Sequence, residues 1–187
     1  MSLNLYIPEL LQVLSKYKPL NNLEAFHREQ MVQFLNSCSA PFSRRTASGH
    51  LTASAVLADQ SLTHVLLIWH EKLQRWLQPG GHCEETVDRT TQSAALRELL
   101  EETEIDPSAV SSLHDGPFDL DIHSIPASNG EDEHLHYDLR YAFILKNVPD
   151  STRFQWRPIT EVIAVEDESI ARFARKLSEF ARPTGAL

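Results

Sequence analysis

Apolar residues keep a helical period at the two ends of this chain and an alternating period between them. Residues 3–18 place Leu10, Leu11 and Leu14 on one helical face, with Pro8 near the start, where proline is tolerated. After "PLNN" the period resumes over 22–36 through Leu23, Phe26, Met31, Phe34 and Leu35, with Asn22 as the expected N-cap. From about His50 the period shortens to two. "HLTASAVLA", "THVLLIWH" and "LQRWLQ" predict strands between polar turns, and "PGG" at 79–81 predicts a loop. A helix is predicted from about Thr90 to Glu104, because Pro107 pushes Asp106 out of the α region. Residues 118–125 and 134–145 alternate as strands, "RFQWRPI" reads as one more, and 167–181 closes the chain as an amphipathic helix. Strands interspersed with a few helices predict an α/β (α+β) layered domain with a mixed sheet. We divide it into a helical extension, 1–38, and a main domain, 39–187.

The helix over 90–104 carries an unusual charge pattern. "RELLEETEI" puts Glu98, Glu101, Glu102 and Glu104 into seven positions with no lysine among them. At about 100° per residue, Glu98, Glu101 and Glu102 share one face, and Leu96, Leu99, Leu100 and Thr103 share the other. Like charges at this spacing cost a few tenths of a kcal/mol per pair, and acids near a helix C-terminus oppose its dipole. A bound cation would offset both costs. Arg97, four residues before Glu101, is placed to pair with it, and Ala94 is small enough to leave space beside the acids. Gly80 and Gly81 upstream permit a close backbone approach. Hard oxygen donors with room for phosphate suit Mg²⁺.

Net charge then narrows the partners. The chain of 187 residues carries −9, but residues 73–145 hold fifteen acids against four arginines, a local −11. That balance argues against unaided binding to a long nucleic acid and favours a metal-assisted meeting with a small anionic substrate. Two cysteines give neither a disulfide framework nor a zinc pattern. Pro8 and Glu9 interrupt the first apolar residues, and no apolar run is long enough for a membrane span, so cytoplasmic placement is expected.

"GGHCEETVDRTTQSAALRELLEETEI" resembles the signature box of the Nudix hydrolases: a glycine, a glutamate, then REUxEExGU with U aliphatic. Gly81, Arg97, Glu98, Leu99, Glu101, Glu102 and Ile105 match it, and wider resemblance runs from about His50 to Val165. The resemblance implies a Nudix-type αβα sandwich. It implies Mg²⁺- or Mn²⁺-dependent hydrolysis of a diphosphate link in a small nucleotide derivative, such as a nucleotide sugar, ADP-ribose or a nucleoside triphosphate. It further implies metal ligation by Glu98, Glu101 and Glu102, with Arg97 orienting them. The chain departs from the box in three places. Gly81 to Arg97 is two residues longer than usual, Arg89 stands at the first glutamate with Asp88 beside it as the candidate substitute, and Glu104 replaces the closing glycine. A left-handed glutamate there is costly, so the helix is expected to end differently. The rival reading is a non-catalytic nucleotide-binding module.

Outside the box, Glu133 in the loop "PASNGEDE" is the candidate general base or auxiliary ligand, with Glu131 next. Arg44 and Arg45 are candidates to clamp phosphates, and Gly81 and His136 to line the substrate site. His134, His136 and Asp138 share one strand face, read as the polar border of the cleft, and His82 is read as a loop hydrogen-bonding residue. Trp69, Trp76 and Trp156 are expected in the core, and Cys83 has no base partner. The apolar faces of 1–38 need a cover, which the main domain or a second subunit supplies; a homodimer is the expectation.

Overall fold

The computed structural model describes residues 7–71, 73–127, 132–147, 153–164 and 167–181. Two helices come first, α1 (Ile7–Lys16) and α2 (Asn22–Ser37). Strands β1 (Gly49–Asp59), β2 (His64–His70), β3 (Arg75–Leu77) and β4 (Gly80–His82) lead into α3 (Thr91–Thr103). Then follow a 3-10 turn (Pro107–Ala109), β5 (Val110–Ser112), β6 (Asp119–Ile125), β7 (His134–Leu145), β8 (Phe154–Pro158), α4 (Ile159–Ile163) and α5 (Glu168–Phe180). The predicted helices and long strands are all present. Not foreseen were β5, the 3-10 turn and α4, each of five residues or fewer, too short to show a period.

One mixed sheet organises the molecule. Its path is β3-β2-β1-β7-β5, with β4 on β1, β6 on β7 and β8 on β2. β1 and β7 lie parallel at its centre, paired from Gly49–Leu135 to Asp59–Leu145, and the other pairs are antiparallel. Both faces are covered, so β1 is buried almost throughout and its alternation assigns sides. Leu51, Ala53, Ala55 and Leu57 join a core with α1, α2 and α3. Val56 and Ala58 join a second core with Phe173, Ala174 and Leu177 of α5. This is an αβα sandwich.

Three local expectations are corrected. The cap of α2 is Asn21, whose Oδ1 accepts from the Glu24 N–H at 2.9 Å; the chain turns one residue earlier than the apolar period suggests. Gly80–His82 is a strand, pairing antiparallel with Thr52–Ser54 of β1, because the two glycines let β4 close on β1. A Cβ on Gly80 would meet Ser54 Oγ at 2.2 Å. Trp69 is 39% exposed, packing edge-on against Trp76 near the β3 edge, while Trp76 and Trp156 are half-buried.

The apolar faces of α1 and α2 are covered within the chain. Leu10, Leu14, Met31, Phe34 and Leu35 are buried in the first core, and the Phe34 ring stacks on Tyr137 at 4.1 Å. Buried polar contacts add to the docking. Lys176 of α5 meets Glu24 and donates to Tyr17 Oη at 2.7 Å, and His27 Nδ1 lies 3.1 Å from the Leu120 carbonyl. Leu20, Leu23 and Phe26 remain exposed.

A layer of buried charge lies between the sheet and α5. Arg140 donates to Asp119, Asp121 and Asp138 at 3.0–3.1 Å, and Arg172 donates to Asp119 and Asp121 at 2.8–2.9 Å. Burial alone would raise the Asp121 pKa, but Arg140, His123 and Arg172 hold it far below the usual carboxylate range.

Candidate functional site

The site is built where α3 faces β4. Thr90 starts the helix: its side chain accepts from the Ser93 N–H, and Ser93 Oγ accepts from the Thr90 N–H, a reciprocal cap. Buried Ala94, Ala95, Leu99 and Thr103 fix the helix against the sheet. Ala94 is fully enclosed in that core, so it opens no space beside the acids, contrary to expectation.

Nor do the three glutamates form one outward face. Glu101 points to solvent with its side chain 58% exposed. Glu98 and Glu102 turn in toward β4. The Gly80 N–H donates to Glu102 Oε2 at 3.0 Å. A Cβ on Gly81 would sit 2.5–2.6 Å from the carboxylate atoms of Glu98, so only glycine allows this approach. The close approach of β4, not solvent, sets where these two carboxylates point.

Arg97 is the organiser. Its Nη1 donates to Glu98 at 2.9 Å and to Glu101 at 3.0 Å. Its other edge grips Asp88, through Nε at 3.1 Å and Nη2 at 3.0 Å, and Nη2 also reaches the His82 carbonyl at 2.9 Å. Asp88 is 2% exposed and accepts from the Glu84 N–H at 2.7 Å. It thus ties the long loop to the helix, while Arg89, at the box position itself, is exposed.

Electrostatically the cluster is under-compensated. Burial, then the charges of Glu98 and Glu101, push Glu102 up to about 7 against the opposing Gly80 hydrogen bond. Burial also raises Glu98 despite Arg97. Arg97 offsets these carboxylates only in part, and the donor set is all hard oxygen. Glu98, Glu101 and Glu102 are the residues that could hold a divalent metal ion there.

α3 ends in a way the sequence argued against. Glu104 adopts the left-handed conformation, φ 56° and ψ 25°, and its N–H caps the Leu100 carbonyl at 2.9 Å. The cap geometry usually given to glycine is kept, and an ion pair with Arg153 at 2.8 Å accompanies it.

The remaining candidates scatter. Arg44 and Arg45 are exposed in the segment before β1, with Arg44 close enough to depress His82. Glu133 is exposed and accepts from Ser124 Oγ at 2.6 Å across the β6–β7 hairpin, away from α3's hydrogen bonds. Glu131 lies outside the described residues. Cys83 is buried, and burial pushes its thiol up. His136 belongs to a tight group with His50 and His82, whose ring nitrogens lie within 4.8 Å of one another. Sequence reasoning saw His136 and His82 separately and passed over His50. The alternating positions 50, 134 and 136 on neighbouring strands were the available signal, but strand pairing was needed to join them.

Comparison with known proteins identifies the family of this fold. The family model of the NUDIX domain matches residues 49–179. Among solved structures, a C. elegans Ap4A hydrolase aligns at TM-score 0.53 and 22% identity, covering 71% of this chain and 98% of its own. The NUDIX domain of Shewanella oneidensis NrtR, complexed with ADP ribose, aligns at 0.48 and 18%, covering 80% and 97%. The E. coli dihydroneopterin triphosphate pyrophosphohydrolase aligns at 0.47 and 17%, covering 70% and 94%. No curated protein sequence matches the chain.

Proposed function

The chain belongs to the Nudix family, and from that premise we propose that it is a pyrophosphohydrolase cleaving a diphosphate link in a small nucleotide derivative. One observation carries the reading: Glu98 and Glu102 converge on Gly80–Gly81 while Arg97, anchored by Asp88, holds Glu98 and Glu101. A binding module has little need to concentrate under-compensated carboxylates in this way. The Ap4A hydrolase neighbour acts, by its name, on Ap4A, which falls within the proposed substrate class.

A divalent ion bound by Glu98, Glu101 and Glu102 supplies neutralisation of the diphosphate and a lowered pKa for the attacking water. The chain does the rest. Arg97 fixes the rotamers of two acids through charge-assisted hydrogen bonds. Gly81, lacking a Cβ, lets the Glu98 carboxylate lie against β4 at the substrate site. Arg44 and Arg45 meet the substrate's remaining charge. Water attacks phosphorus, the anhydride P–O bond breaks, and the proton passes to a carboxylate, for which Glu133 is the candidate outside the box. Assembly as a homodimer now rests on exposed Leu20, Leu23 and Phe26, and light scattering of the full chain decides it. Among the described residues no helix is long and apolar enough to cross a membrane.

The test is a panel of nucleotide diphosphate derivatives with product identification. Turnover with Mg²⁺ or Mn²⁺ that stops in EDTA supports the reading. Hydrolysis undiminished by chelator sinks it, and tight nucleotide binding without turnover favours the non-catalytic module. Within the same panel, Glu133→Gln at saturating substrate assigns the base: a large fall in kcat with KM unchanged places it at Glu133, and an unchanged kcat returns it to the box acids.

A further inference from the structure

Five of the nine histidines collect on one patch of the sheet. Register explains how. His50 of β1 pairs across from His136 of β7, and His136 pairs across from His123 of β6. β4 brings His82 opposite Thr52, two residues along from His50 and therefore on the same face. That face is opposite to the one on which Leu51 and Ala53 meet α3. Ring centroids are 4.7 Å apart for His50 and His136, 4.8 Å for His50 and His82, and 5.2 Å for His82 and His136.

Two of these rings, His136 and His82, are kept neutral. Burial first, then neighbouring imidazoles, pull His136 down to about 2; burial, then Arg44 and His50, pull His82 down to about 4. At physiological pH these rings therefore carry lone pairs, not charge. His136 Nε2 is buried with no hydrogen-bond partner, although buried polar atoms nearly always have one. Neutral imidazole nitrogens converging on one point are what zinc and its neighbours in the transition series take as ligands.

We propose that His50, His82 and His136 form a second metal centre, for a divalent transition ion such as zinc, on the sheet face opposite the carboxylate helix. At Zn–N distances of about 2.0–2.1 Å a tetrahedral ion holds its nitrogens about 3.3 Å apart. The ligand nitrogens now lie within 4.8 Å of one another and must draw closer to reach that spacing. His123 and His134 stand next to the three, with ring centroids 5.5 and 5.3 Å from His136. Their Nδ1 atoms are occupied by Asp121 at 3.0 Å and by the Asp132 carbonyl at 2.8 Å. Such pairings fix the tautomer of metal-site histidines and leave Nε2 for a fourth position. Donor chemistry separates the two centres. The box offers hard oxygen, which suits magnesium, and this cluster offers imidazole nitrogen. His136 accordingly passes from the substrate site to the metal. β4 joins the centres, since the His82 carbonyl accepts from Arg97.

The site is tested by binding, independently of hydrolysis. The full chain, stripped of metal, is titrated with Co²⁺ and then Zn²⁺, beside a Glu98→Gln/Glu102→Gln double variant. One cobalt with the visible ligand-field bands of nitrogen coordination, displaced by zinc, is expected in both. The bands should vanish in His82→Asn and His136→Asn and persist in His70→Asn and His114→Asn, with circular dichroism checking each fold. If the cluster variants fail to fold, isotope-labelled wild type replaces them: the imidazole signals of His50, His82 and His136 should shift with one equivalent of zinc. Nitrogen-coordination bands that survive in folded His136→Asn, or disappear with the glutamates, overturn the proposal. So do imidazole signals unmoved by excess zinc.

Discussion

Arginine meets carboxylates on both faces of the sheet, with opposite results. Between the sheet and α5, Arg140 and Arg172 together meet Asp119, Asp121 and Asp138, and Lys176 joins Asp119 to the buried Glu24. All six carboxylate oxygens accept hydrogen bonds or ion pairs, from these groups and from Thr52, Ser54 and His123. On the α3 face, Arg97 is shared among Asp88, Glu98 and Glu101, and Glu102 has a single backbone N–H. The first group lowers the pKa values of Asp119 and Asp121; on the α3 face burial prevails and raises those of Glu98 and Glu102. A balanced layer serves the fold. An unbalanced one holds a site ready for positive charge from outside.

The largest expected effect tests the balanced side. Arg172→Met removes a 1% exposed guanidinium and leaves Asp119 and Asp121 short of their partner. Breaking a buried ion pair from one side costs about 3–5 kcal/mol, because the remaining charge stays desolvated. Denaturant unfolding at neutral pH measures it. A loss below about 1 kcal/mol would mean the layer relaxes and takes in water, and the contrast would collapse.

On the unbalanced side the same kind of change should spare the fold and harm the activity. Glu102→Gln is expected to cut turnover at least about a hundredfold, as loss of a central electrostatic group commonly does. In chelator its stability should hold or rise by a few tenths of a kcal/mol, since like-charge repulsion is relieved. Near-normal turnover would return α3 to an ordinary solvated helix.

These two regions differed in legibility. The acids of α3 lie close in sequence at helical spacing, so their shared face and the missing lysines could be read directly. Where each acid points could not, because that depends on β4 pairing with β1 and bringing Gly81 against Glu98. Asp88 was recoverable as the stand-in for the box glutamate only because Arg97 supplied the place to look. The buried charge layer left no local signal. Asp119, Asp138, Arg140 and Arg172 come from three elements and meet through strand register and the docking of α5. The histidine cluster was hidden for the same reason. Long strands and amphipathic helices were legible because period and burial coincide, as β7 shows by matching 134–145 to the residue.

A pH titration sharpens the contrast with a smaller effect. The folded pKa values of Asp119 and Asp121 lie below the ordinary carboxylate value near 4, so the unfolded chain takes up protons there while the native layer resists. Their contribution is fully present above that value and is lost as pH falls below it, by up to about 1.4 kcal/mol per group per pH unit. The slope of unfolding free energy below pH 4 should therefore be steep in wild type and shallower in Asp121→Asn. Equal slopes would show that the layer protonates before the chain unfolds.

The smallest effect lies within the acidic segment, at Glu104. It is two residues from Glu102 and equally acidic, but it points away from β4 and pairs with Arg153, both side chains being more than half exposed. An exposed pair of this kind contributes at most about 1 kcal/mol. Against it stands the left-handed backbone, which costs a non-glycine residue roughly 1–2 kcal/mol. Glu104→Gly removes both, and the added freedom of glycine in the unfolded chain takes back about 0.4–1 kcal/mol. The terms nearly cancel, so the net should be a change within about 1 kcal/mol of zero, or a Tm shift of at most roughly 2–4 °C for a chain of this size. Turnover should be unchanged, because the Leu100 carbonyl keeps its cap and the carboxylates facing β4 are untouched. Glu104→Val makes the opposite case: a β-branched residue in that conformation should destabilise by more than 1 kcal/mol while leaving kcat alone. If Glu104→Gly instead lowered kcat tenfold, negative charge anywhere in the segment would matter, and the division between inward and outward acids of α3 would have to be given up.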